Sequence, residues 1–302
     1  MLEFSLKTWN CFGLPQGLLA ILRASGPPSA HRLDHPELHA AVASPEIVCV
    51  QELWLRHSIR LFEKLPHPHK LRDSSGLSLG PPSLVGTGLG VASRFAIVAS
   101  TLRHFAPPHA GADRLARKGM LHLRLLLGEA PRVELDLIDT HLQAQRGLEP
   151  QRVRARQMRE LAALIAETGS PERPFLLCGD LNLNGLGGMR AHEYDALLRL
   201  LDGFCDLGAA ADLPTFQPHK NLLAGRFFAK EPEQRLDYVF FRPARRGPRI
   251  EPLSLALALA EPLAANGEGP STYASDHYAL VARFRLGESS RASGHVPLLE
   301  EL

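Results

Sequence analysis

The nine residues Pro174-Phe175-Leu176-Leu177-Cys178-Gly179-Asp180-Leu181-Asn182 constrain the fold more than any other stretch of the chain. A short apolar run of this kind is the form a buried strand takes. It stops at Gly179, and two polar side chains follow at Asp180 and Asn182. Residues two apart on an extended chain point the same way, so a carboxylate and a carboxamide face one spot at the strand's carboxyl end. Hard cations take oxygen ligands, and such a spot suits a divalent cation and a phosphate oxygen. An Asx turn closing the strand would use the same two residues.

The pattern recurs along the chain. Leu2–Trp9 alternates like a strand and ends at Asn10, with a loop marked by Gly13 and Pro15 beyond it. Ile47–Val50 is a second buried run, and Gln51-Glu52 follows it. An acid tight against a buried strand is costly unless it is paired or coordinated, which makes Glu52 a candidate metal ligand. Val133–Thr140 ends in His141, Arg235–Phe241 carries Asp237 near its start, and Asp276-His277 immediately precedes the last apolar strand. Each group alone has a plain structural explanation, as a turn residue or a satisfied imidazole. Asn10, Glu52, His141, Asp180, Asn182, Asp237, Asp276 and His277 arriving together at strand ends form a constellation. No nucleophilic serine or cysteine elbow accompanies it, so the set points to metal-assisted attack by water.

The connecting segments set the architecture. A helix of about ten residues is expected around Leu38 and Val42, closed by Pro45, and helical spacing resumes over 53–65. The clearest helix runs over 150–167, with Val153, Met158, Leu161, Leu164 and Ile165 on one face. Arg152, Arg154, Arg156 and Arg159 lie elsewhere on it, as a solvated face or as a basic rim for an anionic ligand. A short helix is expected at 192–202. Residues 66–82, 105–119 and 215–234 read as loops. Lys118, at the end of the second, is either a solvated charge or a phosphate contact. Phe227-Phe228 in the third reads as core, with an exposed tip for lipid as the alternative. Gly86–Ser93 lacks the Lys-Ser/Thr of a P-loop and the helix of a dinucleotide fingerprint, and reads as glycine in a tight strand. Further strands are expected at 97–102, 120–127 and 253–259.

Strands outnumber helices and come in pairs rather than in strict βα alternation. The expected fold is therefore α/β, a four-layer α/β/β/α sandwich of two mixed, mostly antiparallel sheets packed face to face. One domain spans residues 1–286, and residues 287–302 read as a disordered tail. A formal net charge of +2 gives no strong field to attract nucleic acid. Cys11, Cys49, Cys178 and Cys205 form no C-x-x-C pair and read as free thiols. The first residues lack a signal-peptide pattern, and no apolar run approaches the roughly 20 residues of a membrane span. A cytoplasmic monomer is the expectation.

In order, Asn10, Gln51-Glu52, Gly179-Asp180-Leu181-Asn182, Leu236-Asp237-Tyr238 and Ser275-Asp276-His277 resemble the motifs of the endonuclease/exonuclease/phosphatase superfamily, the DNase I-like fold. The resemblance runs from residue 2 to about residue 285. Within it, the stretches 9–15 and 140–145 and the pair Lys118-Gly119 are most similar to the neutral sphingomyelinase branch. The resemblance implies hydrolysis of sphingomyelin to ceramide and phosphocholine, dependent on Mg²⁺ or Mn²⁺. Glu52, Asn10 and Asp276 would hold or support the metal. His277 would be the general base, oriented by Asp237, and Asp180 would position the attacking water. Asn182 and His141, with Lys118, would contact the phosphoryl oxygens. The implied partner is a phospholipid head group, reached through transient contact with a membrane surface. A nuclease acting on nucleic acid, or an inositol-phosphate phosphatase, is the alternative within the same fold.

Overall fold

Paired apolar runs build two sheets of six strands each in the computed structural model, which describes residues 2–13, 32–75, 85–186, 191–211, 213–264 and 272–287. The expected tail beyond residue 287 lies outside the described residues. The first sheet holds β1 (Leu2–Asn10), β2 (Ile47–Gln51), β3 (His69–Arg72), β4 (Gly90–Ser93), β11 (Ile250–Ala258) and β12 (Ala279–Leu286), in the order β11-β12-β1-β2-β4-β3. The second holds β5 (Ala96–His104), β6 (Gly119–Glu129), β7 (Arg132–His141), β8 (Phe175–Asp180), β9 (Cys205–Asp206) and β10 (Asp237–Arg242), in the order β5-β6-β7-β8-β10-β9. Only β1–β2 and β7–β8 are parallel; the other pairs are antiparallel.

The sheets pack face to face. Phe4, Leu6, Ile47, Val91, Leu280 and Phe284 of the first meet Leu121, Leu123, Leu137, Leu176, Val239 and Phe241 of the second. Helices cover the outer faces. α1 (Pro36–Ala43) and α2 (Arg56–Glu63) place Leu38, Val42, Leu61 and Phe62 against Trp9, Val48 and Val50. α3 (Leu148–Thr168) and α4 (Ala191–Leu200) cover the second sheet, with Met158, Leu161, Leu164 and Leu197 against Ile138, Leu177 and Phe240. Strands buried on both faces lose the polar alternation of a half-solvated sheet. That is why β2 and β8 stand out as continuous apolar runs. Among the described residues no helix is long and apolar enough to cross a membrane.

Register brings the polar strand ends to one place. The parallel pairs put the carboxyl ends of β1 and β2 side by side, and likewise those of β7 and β8. β10 runs against β8 with Asp237 opposite Asp180. β12 runs against β1 with Leu280 opposite Thr8, so Asp276 and His277 arrive beside Asn10. Polar groups at the end of one strand and the start of its antiparallel neighbour therefore share an edge.

Three expectations are corrected. The segment 66–82 contains β3, a short strand at the sheet's edge. The segment 215–234 contains α5 (Leu222–Phe228), whose first turn is capped by Asn221 Oδ1 accepting from Leu223 N and Ala224 N at 3.0 and 3.1 Å. Its seven residues are too few to carry a helical period. Phe227 and Phe228 are half-buried and pack inward, edge-on to Phe12 and Phe216 at 5.5 Å each. The third correction is Arg154. It is fully buried, not part of a solvated arginine face, and forms a two-pronged ion pair with Glu193 at 2.9 and 3.0 Å. The four cysteines are free, and Cys205 is exposed while the other three are buried.

Candidate active site

The eight strand-end groups come together, buried, at the seam between the sheets. Asn10 stands at their centre. Its Nδ2 donates to Glu52 Oε1 at 3.1 Å and to Asp180 Oδ2 at 2.9 Å, joining acids from opposite sheets. Its own Oδ1 accepts from Phe12 N at 3.0 Å, which fixes the amide's orientation. Ser275 Oγ donates to the Asn10 carbonyl at 2.6 Å and so pins the Asp276-His277 segment to β1. The buried Arg32, unmarked in the sequence, donates to the carbonyls of Cys11, Phe12 and Ala274.

The backbone is unusual at three of these positions. Glu52 and Asn182 have positive φ, 64° and 52°, and Gly179 has φ 132°. A side chain on Gly179 would run into the Thr140 carbonyl. Only glycine lets β8 lie that close to β7, and this closeness sets Asp180 beside His141. Asp180 Oδ1 accepts from Asn182 N at 2.9 Å, and Asn182 Nδ2 donates to the Leu142 carbonyl at 3.1 Å. The Asx turn expected as the plain reading is thus present, and it coexists with the site.

His277 Nδ1 lies 2.8 Å from Asp237 Oδ2. Burial alone would lower the imidazole's pKa, but Asp237, Asp180 and Asp276 raise it well above its ordinary value. His141 behaves in the opposite way. Burial and the Lys118 ammonium lower its pKa, so the ring is neutral. Lys118 is 1% exposed, which excludes the solvated reading. Its Nζ lies 2.6 Å from His141 Nε2, 3.6 Å from Asp113 Oδ1 and 5.8 Å from the centre of the Trp54 ring. An ammonium can only donate, so His141 Nε2 accepts and the ring proton sits on Nδ1, a buried atom with no partner. Trp54 stacks on His141 at 6.1 Å and donates to the Gly86 carbonyl at 2.9 Å. The loop after His141 is clamped by Arg154, whose Nη1 donates to the Gln143 and Gln145 carbonyls at 2.9 and 2.8 Å. Gln143 N in turn donates to Gln157 Oε1 at 2.8 Å.

The donor set fits a divalent cation. Glu52 is buried, its Oε2 has no partner, and burial with the nearby Asp276 raises its pKa to about 8. That is a carboxylate lacking a compensating positive charge. Asp180 differs. Burial would raise it, but the positive charges of His277 and Lys118 hold it below the usual carboxylate range, and the neutral His141 ring lies beside it, Nε2 3.3 Å from Oδ2. Asp180, Asp237 and His277 also place one donor atom each within 4.8 Å of one another. In that trio His277 Nδ1 engages Asp237 Oδ2, while Asp237 Oδ1, like Glu52 Oε2, is buried without a partner among the described residues.

The sequence profile of the Endonuclease/Exonuclease/phosphatase family matches residues 8–277. The chain belongs to this family. Within the family it is 28% identical, over 158 residues, to Sphingomyelinase C of Listeria ivanovii; the match spans 51% of this chain and 45% of that protein, so about half of the relative is covered. The fold is shared with the crystal structure of SmcL at 24% identity and a TM-score of 0.71, over 93% of this chain and 98% of that one. It is shared with beta toxin from Staphylococcus aureus, in a structure with bound magnesium ions, at 19% identity and a TM-score of 0.69, over 93% and 99%. It is also shared with TDP2 of D. rerio complexed with a single-strand DNA product, at 18% identity and a TM-score of 0.68, over 94% and 99%. Two face-to-face mixed sheets with outer helices are the DNase I-like architecture expected from the motif order.

Proposed function

We propose that this chain is a Mg²⁺-dependent phosphodiesterase of the sphingomyelinase type, releasing phosphocholine from sphingomyelin. The observation that carries the reading is the meeting of Glu52, Asp180 and His277 at the seam between the sheets, with the Asn10 amide spanning the two acids. Glu52, supported by Asn10 and Asp276, would hold the cation, Mn²⁺ serving in place of Mg²⁺. Bound there, the cation supplies positive charge that offsets a phosphoryl oxygen and the surrounding carboxylates.

The remaining steps belong to the side chains. His277 offers Nε2 as its free ring nitrogen, because Nδ1 is engaged by Asp237. Nε2 takes a proton from a water positioned by Asp180 while the water oxygen bonds to phosphorus and the opposite phosphorus–oxygen bond breaks. Asn182 and the unpartnered Nδ1–H of His141 donate to phosphoryl oxygens as charge builds. Lys118 acts on the phosphate through His141, whose tautomer it fixes.

Purified protein assayed with Mg²⁺ against sphingomyelin vesicles, DNA and inositol phosphates tests the reading. Phosphocholine release that stops on chelation is expected. DNA cleavage without lipid turnover would move the substrate to nucleic acid, the second reading that likeness to the DNA-bound TDP2 fold supports. No turnover of any of these would overturn the enzyme reading.

A further inference from the structure

Directly beneath the reacting groups lies a polar layer that the chemistry above does not use. Thr8 of β1, Gln51 of β2 and Asp139 of β7 are all fully buried. They precede Asn10, Glu52 and His141 by one or two residues. Gln51 Nε2 donates to Asp139 Oδ1 at 2.6 Å and to Thr8 Oγ1 at 3.1 Å. The first of these bonds crosses from one sheet to the other.

Two atoms of this layer have no partner among the described residues, Gln51 Oε1 and Asp139 Oδ2. Both are acceptors if Asp139 is ionised, and two acceptors cannot satisfy each other. The groups facing Asp139 carry no positive charge. They are Thr8 from β1, Cys49 and Gln51 from β2, Leu121 from β6 and Cys178 from β8. A buried carboxylate with no cation carries a heavy desolvation penalty and takes up a proton instead. Burial acts on Asp139 in that direction, against the weaker pull of its hydrogen bonds from Gln51 and the Thr140 backbone. One proton on Oδ2 converts it into a donor, the kind of group that Gln51 Oε1 lacks.

We propose that Gln51 and Asp139 form a neutral acid–amide pair across the sheet seam, and that Asp139 is thereby a positioning residue holding Glu52 and His141 in mutual register. The pair is the only part of the layer that ties the Glu52 strand to the His141 strand by side chains on the two strands themselves.

The test uses the full chain with Mg²⁺ and three variants, D139N, Q51E and Q51E/D139N. The wild type should show the infrared carbonyl band of a protonated carboxyl at neutral pH, and D139N should lose it. Folding of the wild type takes up a proton that D139N does not need. Between pH 5 and 8 the unfolding constant of the wild type should therefore climb faster than that of D139N, by about tenfold per pH unit. Q51E sets two acids against each other and should cut kcat by about 10- to 10²-fold through misplacement of the reacting groups. Q51E/D139N exchanges acid and amide and should recover that loss. An unchanged infrared band, or pH–stability curves that run parallel in wild type and D139N, would show Asp139 ionised and overturn the proposal. A double variant as slow as Q51E would overturn the pairing. The infrared and stability measurements use no substrate, so they succeed or fail separately from the phosphodiesterase reading.

Discussion

His277 sits among three carboxylates that raise its pKa, and this sets the pH at which it can accept a proton. A base works only when deprotonated, so a raised pKa moves the acid limb of kcat/KM upward. Replacing Asp237 with Asn removes the first of those carboxylates. The limb should move to lower pH while kcat falls, as a pH–rate profile would show. His277→Ala should lower turnover by roughly 10²–10⁴-fold with the fold retained by circular dichroism. Glu52 makes a claim on stability. Its folded pKa of about 8 exceeds its unfolded value near 4.3. The folded protein therefore holds a proton that the unfolded chain has released, and metal-free stability should decline as pH rises from about 4 to 8. Glu52→Gln removes that decline. Thermal melts with chelator should show the variant more stable than wild type at pH 8, and added Mg²⁺ should stabilise only the wild type.

At the scale of elements, the site is held by contacts that a periodicity argument does not reach. Arg154 joins α3 to α4 and clamps the loop after His141, and breaking a buried ion pair at one end leaves the other charge stranded. Arg154→Ala should cost about 3–5 kcal/mol in denaturant unfolding and lower activity in whatever protein remains folded. Gly179→Ala should be damaging for a different reason, because its backbone is in the left-handed half of φ space and lies against Thr140. Loss of turnover beyond loss of folded protein is expected, read by active-site titration against circular dichroism. The central strands and the strand-end polar groups were legible in the sequence because burial on both faces removes polar residues until the chain reaches the strand ends; the short strands β3 and β9 at the sheet edges carry no such run. Arg154 was not legible either, since four arginines on a helix read as a solvated face whichever one turns inward. Lys118, a charge next to a loop, read equally as solvated or as a phosphate contact, and its burial removes the first of these. Arg32 and Trp54 bring carbonyls and rings together from distant segments, and no local pattern marks them. α5 was missed because seven residues between polar neighbours show no helical stripe.

For the whole molecule, the two sheets contribute different residues of the proposed site. Asn10, Glu52, Asp276 and His277 come with the first sheet, and Lys118, His141, Asp180, Asn182 and Asp237 with the second. A small slide of one sheet over the other would separate the Asn10 amide from Asp180 while leaving most apolar contacts in place. Activity should therefore fail at lower denaturant than secondary structure does, as parallel assays of turnover and far-ultraviolet dichroism would reveal. The motif order carried the architecture, but not whether a lipid or a nucleic acid is the substrate.

β12 lies between β1 and β11, so the first sheet closes only when residues 279–286 are threaded beside residues 2–10. Asp276 and His277 travel with that segment. A polypeptide made only as far as β10 holds the strands of the second sheet yet lacks His277, the proton acceptor of the proposed mechanism. Under that mechanism, the order of synthesis would keep unfinished copies inert.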